Sequence, residues 1–210
     1  MSQIKKRTSN GWVDVPIKKR TSNGWVDVDV YKRQDGKWVK LTSQQYTTTW
    51  ESNWTQTYRQ SGTKRTDYRG EKICQGEYLS DPWGVMRSLV GFPDMNSTLS
   101  GAKINDVKIY LKNEHWYYNA GGKAVIGYHD HSSRPTTFSH SKYGVKTQSY
   151  SSRGQALWID MPNDFGEGLK DGRYEGFSIY ANSSNMNYYG IFYGAKDGSN
   201  KPKIKITYTK

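Results

Sequence analysis

Cysteine is almost absent from this chain: Cys74 stands alone among 210 residues. One thiol can neither close an internal disulfide nor supply a thiolate metal cluster, and a lone Cys in a strand-like run reads as a small buried hydrophobe. A chain free of disulfides suits assembly in a reducing cytosol. Long apolar runs are lacking as well. No stretch approaches the roughly 18 apolar residues that a membrane-spanning helix needs. Met1-Ser2-Gln3-Ile4-Lys5-Lys6-Arg7 leads into no apolar segment of the kind a secretory leader carries. The expectation is a protein with no membrane insertion and no export signal. Acidic residues are in deficit, 19 Asp and Glu against 31 Lys and Arg, for a net charge of +12. Such a surface favours anionic partners without naming one. Leucine is scarce, whereas Tyr numbers 17, Trp 8 and Phe 5, with 21 Gly. That balance favours strands and turns over helices. Even 37–61, the longest stretch without Gly or Pro, is rich in Thr, Ser, Trp and Tyr, which favour extended chain. The length suits one domain with a smaller appendage.

What is present begins with a repeat. Residues 4–15 read IKKRTSNGWVDV, and 17–28 repeat this without a difference. A diverged copy, VYKRQDGKWVKL, occupies 30–41. Trp12, Trp25 and Trp38 share one phase at a period of 13, as do Arg7, Arg20 and Arg33. Asn10-Gly11, Asn23-Gly24 and Asp35-Gly36 are dipeptides that tolerate the positive φ of tight hairpin turns. Residues 1–42 therefore read as an arm of β-hairpins. A lone two-stranded hairpin is marginal in water, so each unit needs a neighbour. The phased Trp and Arg residues are the candidates for assembly contacts, with other copies of the chain or with partner proteins.

From 43 to 210 the chain reads as one domain of short strands broken by Gly, Pro, Asn, Asp and Ser. Tyr46, Trp50, Trp54 and Tyr58 fall on one face if 46–58 is a single strand. Further strands are expected at 85–92, 102–111, 124–131, 156–161, 177–181, 188–193 and 203–208. Within 102–111, Ile104, Asp106, Lys108 and Tyr110 share a face. The segment 164–172, DFGEGLKDG, reads as turns. Short strands at this spacing indicate an all-β fold, a two-sheet antiparallel β-sandwich of jelly-roll type behind the hairpin arm. The terminal 203–208 is expected at a sheet edge.

At this point the chain resembles a known group. WESNWTQTYR at 50–59, Gln75-Gly76 ahead of Tyr78, SLVGF at 88–92, YLKNEHWYYNAGG at 110–122 and KPKIKITYTK at 201–210 resemble the C-terminal module of bacteriophage minor tail proteins. The first units, with Lys-Arg before a Gly and Trp-Val after it, resemble the short repeats that precede such modules. More loosely, Leu89-Val90-Gly91-Phe92, then 102–111, then Trp158-Ile159-Asp160 and a closing Pro-x-Ile-x-Ile-x-Tyr are similar to the DNRLRE group of surface β-sandwiches. The resemblance implies a virion component with a carbohydrate-binding type of fold and implies no catalytic residues.

The residues themselves offer little chemistry. His129 and His131, two apart on a strand, could share a metal if His115, Glu114 or Asp160 joined them. No wider ligand motif accompanies the pair, so no metal and no cofactor are expected. Asp160, Asp164, Glu167 and Asp171 lie close in sequence but show no opposed partner for glycosidase chemistry. Neither a nucleophile elbow nor a P-loop is present. No enzyme activity is expected.

Sugar binding is the chemistry that the aromatics suit, because rings pack on the apolar faces of sugars while polar neighbours bond the hydroxyls. Trp116, Tyr117, Tyr118, Asn119, Tyr188 and Tyr189 are the candidate glycan-binding residues, beside Asn113 and Asn187. Alternate rings could equally be core. The reading is a structural component of a phage tail, assembled in the host cytoplasm with other virion proteins as a homo-oligomer, its sandwich facing outward toward a host glycan. The alternative is the carbohydrate-binding module of a secreted or lytic carbohydrate-active protein. Specific nucleic-acid binding would rest on charge alone and is not expected.

Overall fold

A computed structural model describes residues 5–9, 11–14, 17–28, 30–40, 44–79, 81–117 and 122–210; at 5–8, 11–14, 27, 32, 34, 39 and 40 it describes backbone alone. The chain divides into two compact units, Met1–Tyr46 with Thr209–Lys210, and Thr47–Tyr208.

In the first unit, strands β1 (Lys5–Thr8) and β2 (Gly11–Asp14), β3 (Lys18–Thr21) and β4 (Gly24–Asp27), and β5 (Tyr31–Gln34) and β6 (Lys37–Lys40) form three separate antiparallel pairs. Their registers are equivalent: Arg7 faces Trp12, Arg20 faces Trp25 and Arg33 faces Trp38. Asp35 and Gly36 both take positive φ, 49° and 78°, the backbone twist that a two-residue hairpin requires. Trp25 and Trp38 are 66% and 71% exposed. These rings contribute almost nothing to a core within their own hairpins. The side chains of Trp12 and Arg7 lie outside the described residues, while Arg20 and Arg33 are exposed.

The second unit is the sandwich. Its strands are β7 (Gln45–Glu51), β8 (Trp54–Tyr58), β9 (Ile73–Gln75), β10 (Arg87–Gly91), β11 (Lys103–Trp116), β12 (Gly122–His129), β13 (Lys142–Tyr150), β14 (Ala156–Met161), β15 (Gly176–Ile179), β16 (Gly190–Phe192) and β17 (Lys203–Thr209). One sheet has the order β13-β12-β15-β10-β8; the other runs β7-β17-β11-β16-β9, with β14 also paired to β11. Side chains alternate along a strand. In β17, Ile204, Ile206 and Tyr208 are therefore buried, while the intervening lysines and threonines are half-exposed. Ile109 and Leu111 of β11, Ile126 and Tyr128 of β12, and Phe177 and Ile179 of β15 complete the middle of the core. The chain is an all-β sandwich. No helix among the described residues is long and apolar enough to cross a membrane.

The expected single strand over 46–58 is two strands in different sheets. The break is at Ser52 and Asn53: the Ser52 N–H donates to the carbonyl of Pro202, just ahead of β17 in the second sheet, and the next N–H donates to Gly91 of the first. Trp50 thus packs on the main core, while Trp54 and Tyr58 join Leu89 in a separate outer cluster. Gly91 is needed there, since a side chain at that position would overlap the Trp54 ring. The loop from 130 to 141 lies over this outer face. The Tyr58 hydroxyl donates to the Pro135 carbonyl at 2.9 Å, and the Phe138 ring meets Tyr58 edge-on at 5.7 Å. Strand β8, beneath this second layer, is buried at every position, which plain alternation would not predict.

Three further expectations are corrected. Ile104 does not share a face with Lys108 and Tyr110; the inward parity of β11 changes between Ile104 and Val107, both of which are buried. The segment read as turns is a helix, α2 (Asn163–Lys170), which follows the four-residue α1 (Asn96–Leu99). Phe165 and Leu169, four apart, bury one face of α2, and Phe165 stacks on Tyr128 at 4.3 Å. Gly166 lets the helix lie directly on Val107 and Ile104. Strand β17 lies between β7 and β11 and is no edge strand.

The sandwich holds its own layered core, whereas a hairpin orders about a dozen residues at roughly 1–2 kcal/mol of backbone entropy apiece, and in the second and third hairpins the Trp is exposed. A fragment of residues 44–210 is therefore expected to unfold in one cooperative transition, and a fragment of 1–42 to show little amide-exchange protection on its own. Circular dichroism and hydrogen exchange on the two fragments check this; a sandwich that fails to fold without the first 43 residues would refute it.

Candidate functional site

The site begins with a buried arginine. Arg65, in the loop between β8 and β9, is 4% exposed. Its Nε and Nη2 each donate to the Asp67 carboxylate at 2.7 Å, and its Nη1 donates to the Met86 sulfur at 2.8 Å. Its guanidinium also stands 4.8 Å from the centre of the Trp83 ring, which Arg59 approaches at 4.3 Å. A guanidinium can be buried only when its donors are paired in this way. Asp67 in turn accepts from the Arg69 N–H at 3.1 Å, and its own carbonyl accepts from the Gly70 N–H. The turn is pulled tight and directs Tyr68 and Arg69 outward. Tyr68 is 77% exposed.

A second device lies in β11. Its pairing with β16 is irregular between Asn113 and His115. Regular alternation would place Glu114 and His115 on opposite faces; a bulge re-aims side chains. Here Asn113 and Trp116 are both buried, while Glu114 and His115 line the same surface groove. Strand β16 brings Tyr189 and Ile191 alongside through the register Ile191 to His115 and Ile191 to Cys74.

The groove these elements enclose measures about 480 Å³ and is lined by Tyr68, Arg69, Lys72, Tyr78, Glu114, His115, Tyr189 and Ile191. Tyr189 is its floor. Tyr78 leans over Tyr189 with ring centres 5.1 Å apart, and His115 meets Tyr189 edge-on at 6.1 Å. Lys72 bonds Asp197 at 2.7 Å and pairs with Glu114 at 2.9 Å. Burial pulls the Lys72 pKa down, but these two carboxylates outweigh it and hold the ammonium above its ordinary value. Burial, reinforced by Arg153 and Arg69, lowers the pKa of His115, so the ring is neutral at pH 7. A smaller cavity of about 370 Å³, with Lys64, Arg134 and Glu71 in its wall, shares Tyr68 with the groove.

The expected glycan-binding residues are divided by this geometry. Tyr189 lines the groove. Trp116 does not: it is 6% exposed and belongs to the main core, pressed against Gly122. The parity change that frees His115 is what turns Trp116 inward. Tyr117 is half-buried and packs on the cluster of Cys74, Met86, Tyr189 and Ile191. Tyr188 is half-buried outside the groove, with the Lys123 ammonium 5.3 Å from its ring. Tyr118 and Asn119 lie outside the described residues. Asn113 is fully buried, donating toward the Ile191 carbonyl. Tyr68, Arg69, Lys72 and Tyr78 were not legible as site residues. The sole signal was the pairing of Tyr68 with Arg69 in a stretch without strand pattern, and it carries no spacing.

The metal reading of His129 and His131 fails on lone pairs. His129 is buried, its Nδ1 accepts from the His131 N–H at 3.2 Å, and its Nε2 stands 2.9 Å from the Val90 carbonyl. With Nδ1 accepting, Nε2 carries the proton and donates, which leaves no lone pair for a metal. His131 Nε2 faces the Ser139 hydroxyl at 2.8 Å. No group of three or more His, Cys, Asp or Glu side chains among the described residues could hold a metal ion. The acidic residues of 160–171 are engaged elsewhere: Asp160 with Lys108, Asp164 with Lys142 and Glu167 with Lys170. Neither a scan against protein-family models nor a search among curated proteins returns a match for this chain.

Burial depresses the His129 pKa from about 6.5 to about 3. Between those values the unfolded chain binds a proton that the folded one refuses. This contribution to stability is whole above pH 6.5 and is lost as pH falls, by up to about 1.4 kcal/mol per pH unit. A titration followed by imidazole Cε1 resonances should show one of the four histidines still neutral at pH 4.5, with that signal missing in His129→Gln. Protonation of all four above pH 5 would contradict the buried, donating His129.

Proposed function

We propose that this chain is a non-enzymatic attachment component of a bacteriophage tail, whose sandwich binds a host-surface glycan in the groove of Tyr68, Tyr78 and Tyr189. The groove carries the reading. Aromatic rings form its floor and one wall, and charged groups are interleaved with them within hydrogen-bonding reach of a ligand. That is the composition a sugar requires, with rings against its C–H faces and polar groups toward its hydroxyls. The hairpin units take the role of assembly elements. Their exposed Trp25 and Trp38 offer the apolar area that a second copy of the chain, or another virion protein, would cover. The virion assignment rests on the resemblance of the sequence to minor tail proteins and of its first units to their repeats. Assembly in the host cytosol fits the single buried Cys74.

Two measurements test this. Immunogold labelling with an antibody to the sandwich should decorate the tails of virions. On an array of bacterial wall glycans, the full chain should bind a subset, and Tyr78→Ala should weaken that binding about tenfold, since a ring contact is worth roughly 1.4 kcal/mol. Undiminished binding by Tyr78→Ala would move the site off the groove. Label absent from virions, together with sugar release by the purified chain, would replace the attachment reading with that of a carbohydrate-active protein.

A further inference from the structure

Among the described residues, the ion pairs around the groove leave out one cation, Arg69. Lys72 is held between Asp197 and Glu114. Arg65, behind the loop, is occupied by Asp67. Arg69 is half-buried, its guanidinium lies 5.3 Å from the centre of the Tyr68 ring, and it has no carboxylate partner among the described residues. Asp67, two positions earlier, hydrogen-bonds Arg69 only through the backbone N–H, and its carboxylate, turned toward Arg65, attracts the Arg69 guanidinium without forming an ion pair. Glu114, the one acidic residue in the groove wall, is paired with Lys72.

A cation that has lost part of its hydration and makes no ion pair of its own is where a ligand anion is worth most. The planar fork of a guanidinium matches a carboxylate or a phosphate with two parallel hydrogen bonds, and stacking against Tyr68 orients it. We infer that the ligand of this groove is an acidic glycan, bearing a carboxylate or a phosphate on or beside the sugar, and that Arg69 reads the acidic group while Tyr78 and Tyr189 read the ring. This rests on the proposal that the groove holds a glycan. The +12 surface adds a long-range pull of the same sign, but that pull is screened by salt and is not site-specific.

The test compares matched probes on the full chain by calorimetry in 150 mM salt: oligomers of glucuronic acid against glucose, oligomers of galacturonic acid against galactose, and a glycerol-phosphate oligomer as the phosphate arm. At least one acidic probe should bind about tenfold or more tighter than its neutral counterpart or, for the phosphate arm, than any neutral oligomer, the scale of a charge-assisted pair. Arg69→Gln should abolish that preference and Arg69→Lys should keep part of it. Lys205→Gln, which removes the same charge from a residue seated over the Trp158 ring at 4.1 Å and outside the groove, should keep it whole. Equal binding of acidic and neutral probes, or an equal loss from Lys205→Gln and Arg69→Gln, would overturn the role of Arg69 while leaving a glycan groove in place. Failure of every probe to bind would count against both.

Discussion

Strand alternation is the constraint on which both the core and the groove depend, and β11 departs from it twice. Between Ile104 and Val107 the change of parity seats both side chains inward, under α2 and its Phe165. Between Asn113 and His115 the irregular pairing with β16 turns Asn113 and Trp116 into the interior and leaves Glu114 and His115 together at the surface. A regular strand would bury one of these two and expose Trp116 or its neighbour instead. The same local fault therefore completes the hydrophobic core at one end of the sandwich and opens the polar wall of the groove beside it.

The other wall depends on the buried Arg65. Paired with Asp67 and seated near Met86 and Trp83, it holds a loop that has no regular structure of its own. Fixing the loop through one interior charge sets the exposed Tyr68 and the half-buried Arg69 at the groove. If the groove binds a glycan as proposed, the loop is ordered during folding rather than on ligand contact, which is how a rigid site gains affinity. Removing Asp67 would leave the buried Arg65 guanidinium without its carboxylate, which is strongly destabilising, and would release Tyr68 and Arg69 together.

The sequence disclosed the elements whose patterns are local. The alternation of Ile204, Ile206 and Tyr208, the run at 156–161 and the Asp35-Gly36 turn all carry their structure in adjacent residues, whereas the second hairpin turns at Ser22-Asn23 rather than at the expected Asn23-Gly24, and Gly24 opens β4. Strand β13 was not legible because it is largely exposed and carries few apolar residues, and β9 because three buried residues are too short a run to show a period. The glycines of α2 masked a helix whose two apolar residues are only one turn apart. The groove was illegible for a different reason. Its members come from 68–72, 78, 114–115 and 189–191, and only the pairing of β16 with both β9 and β11 brings these segments together. Trp116 shows the same limit: its neighbours in sequence suggested a sugar platform, and a single bulge made it core.

The proposed glycan is placed in this groove rather than on any other aromatic surface of the sandwich. The principal rival is the outer face of the larger sheet, where Trp158 and Tyr110 stand 5.4 Å apart beside Lys203 and Lys205. Mapping amide and aromatic chemical shifts during titration with the tightest-binding oligosaccharide separates the two most directly. Saturable shifts are expected at Tyr68, Arg69, Tyr78, His115 and Tyr189, with Trp158 and Tyr110 unmoved. Shifts confined to Trp158, Tyr110 and their lysines would contradict that placement.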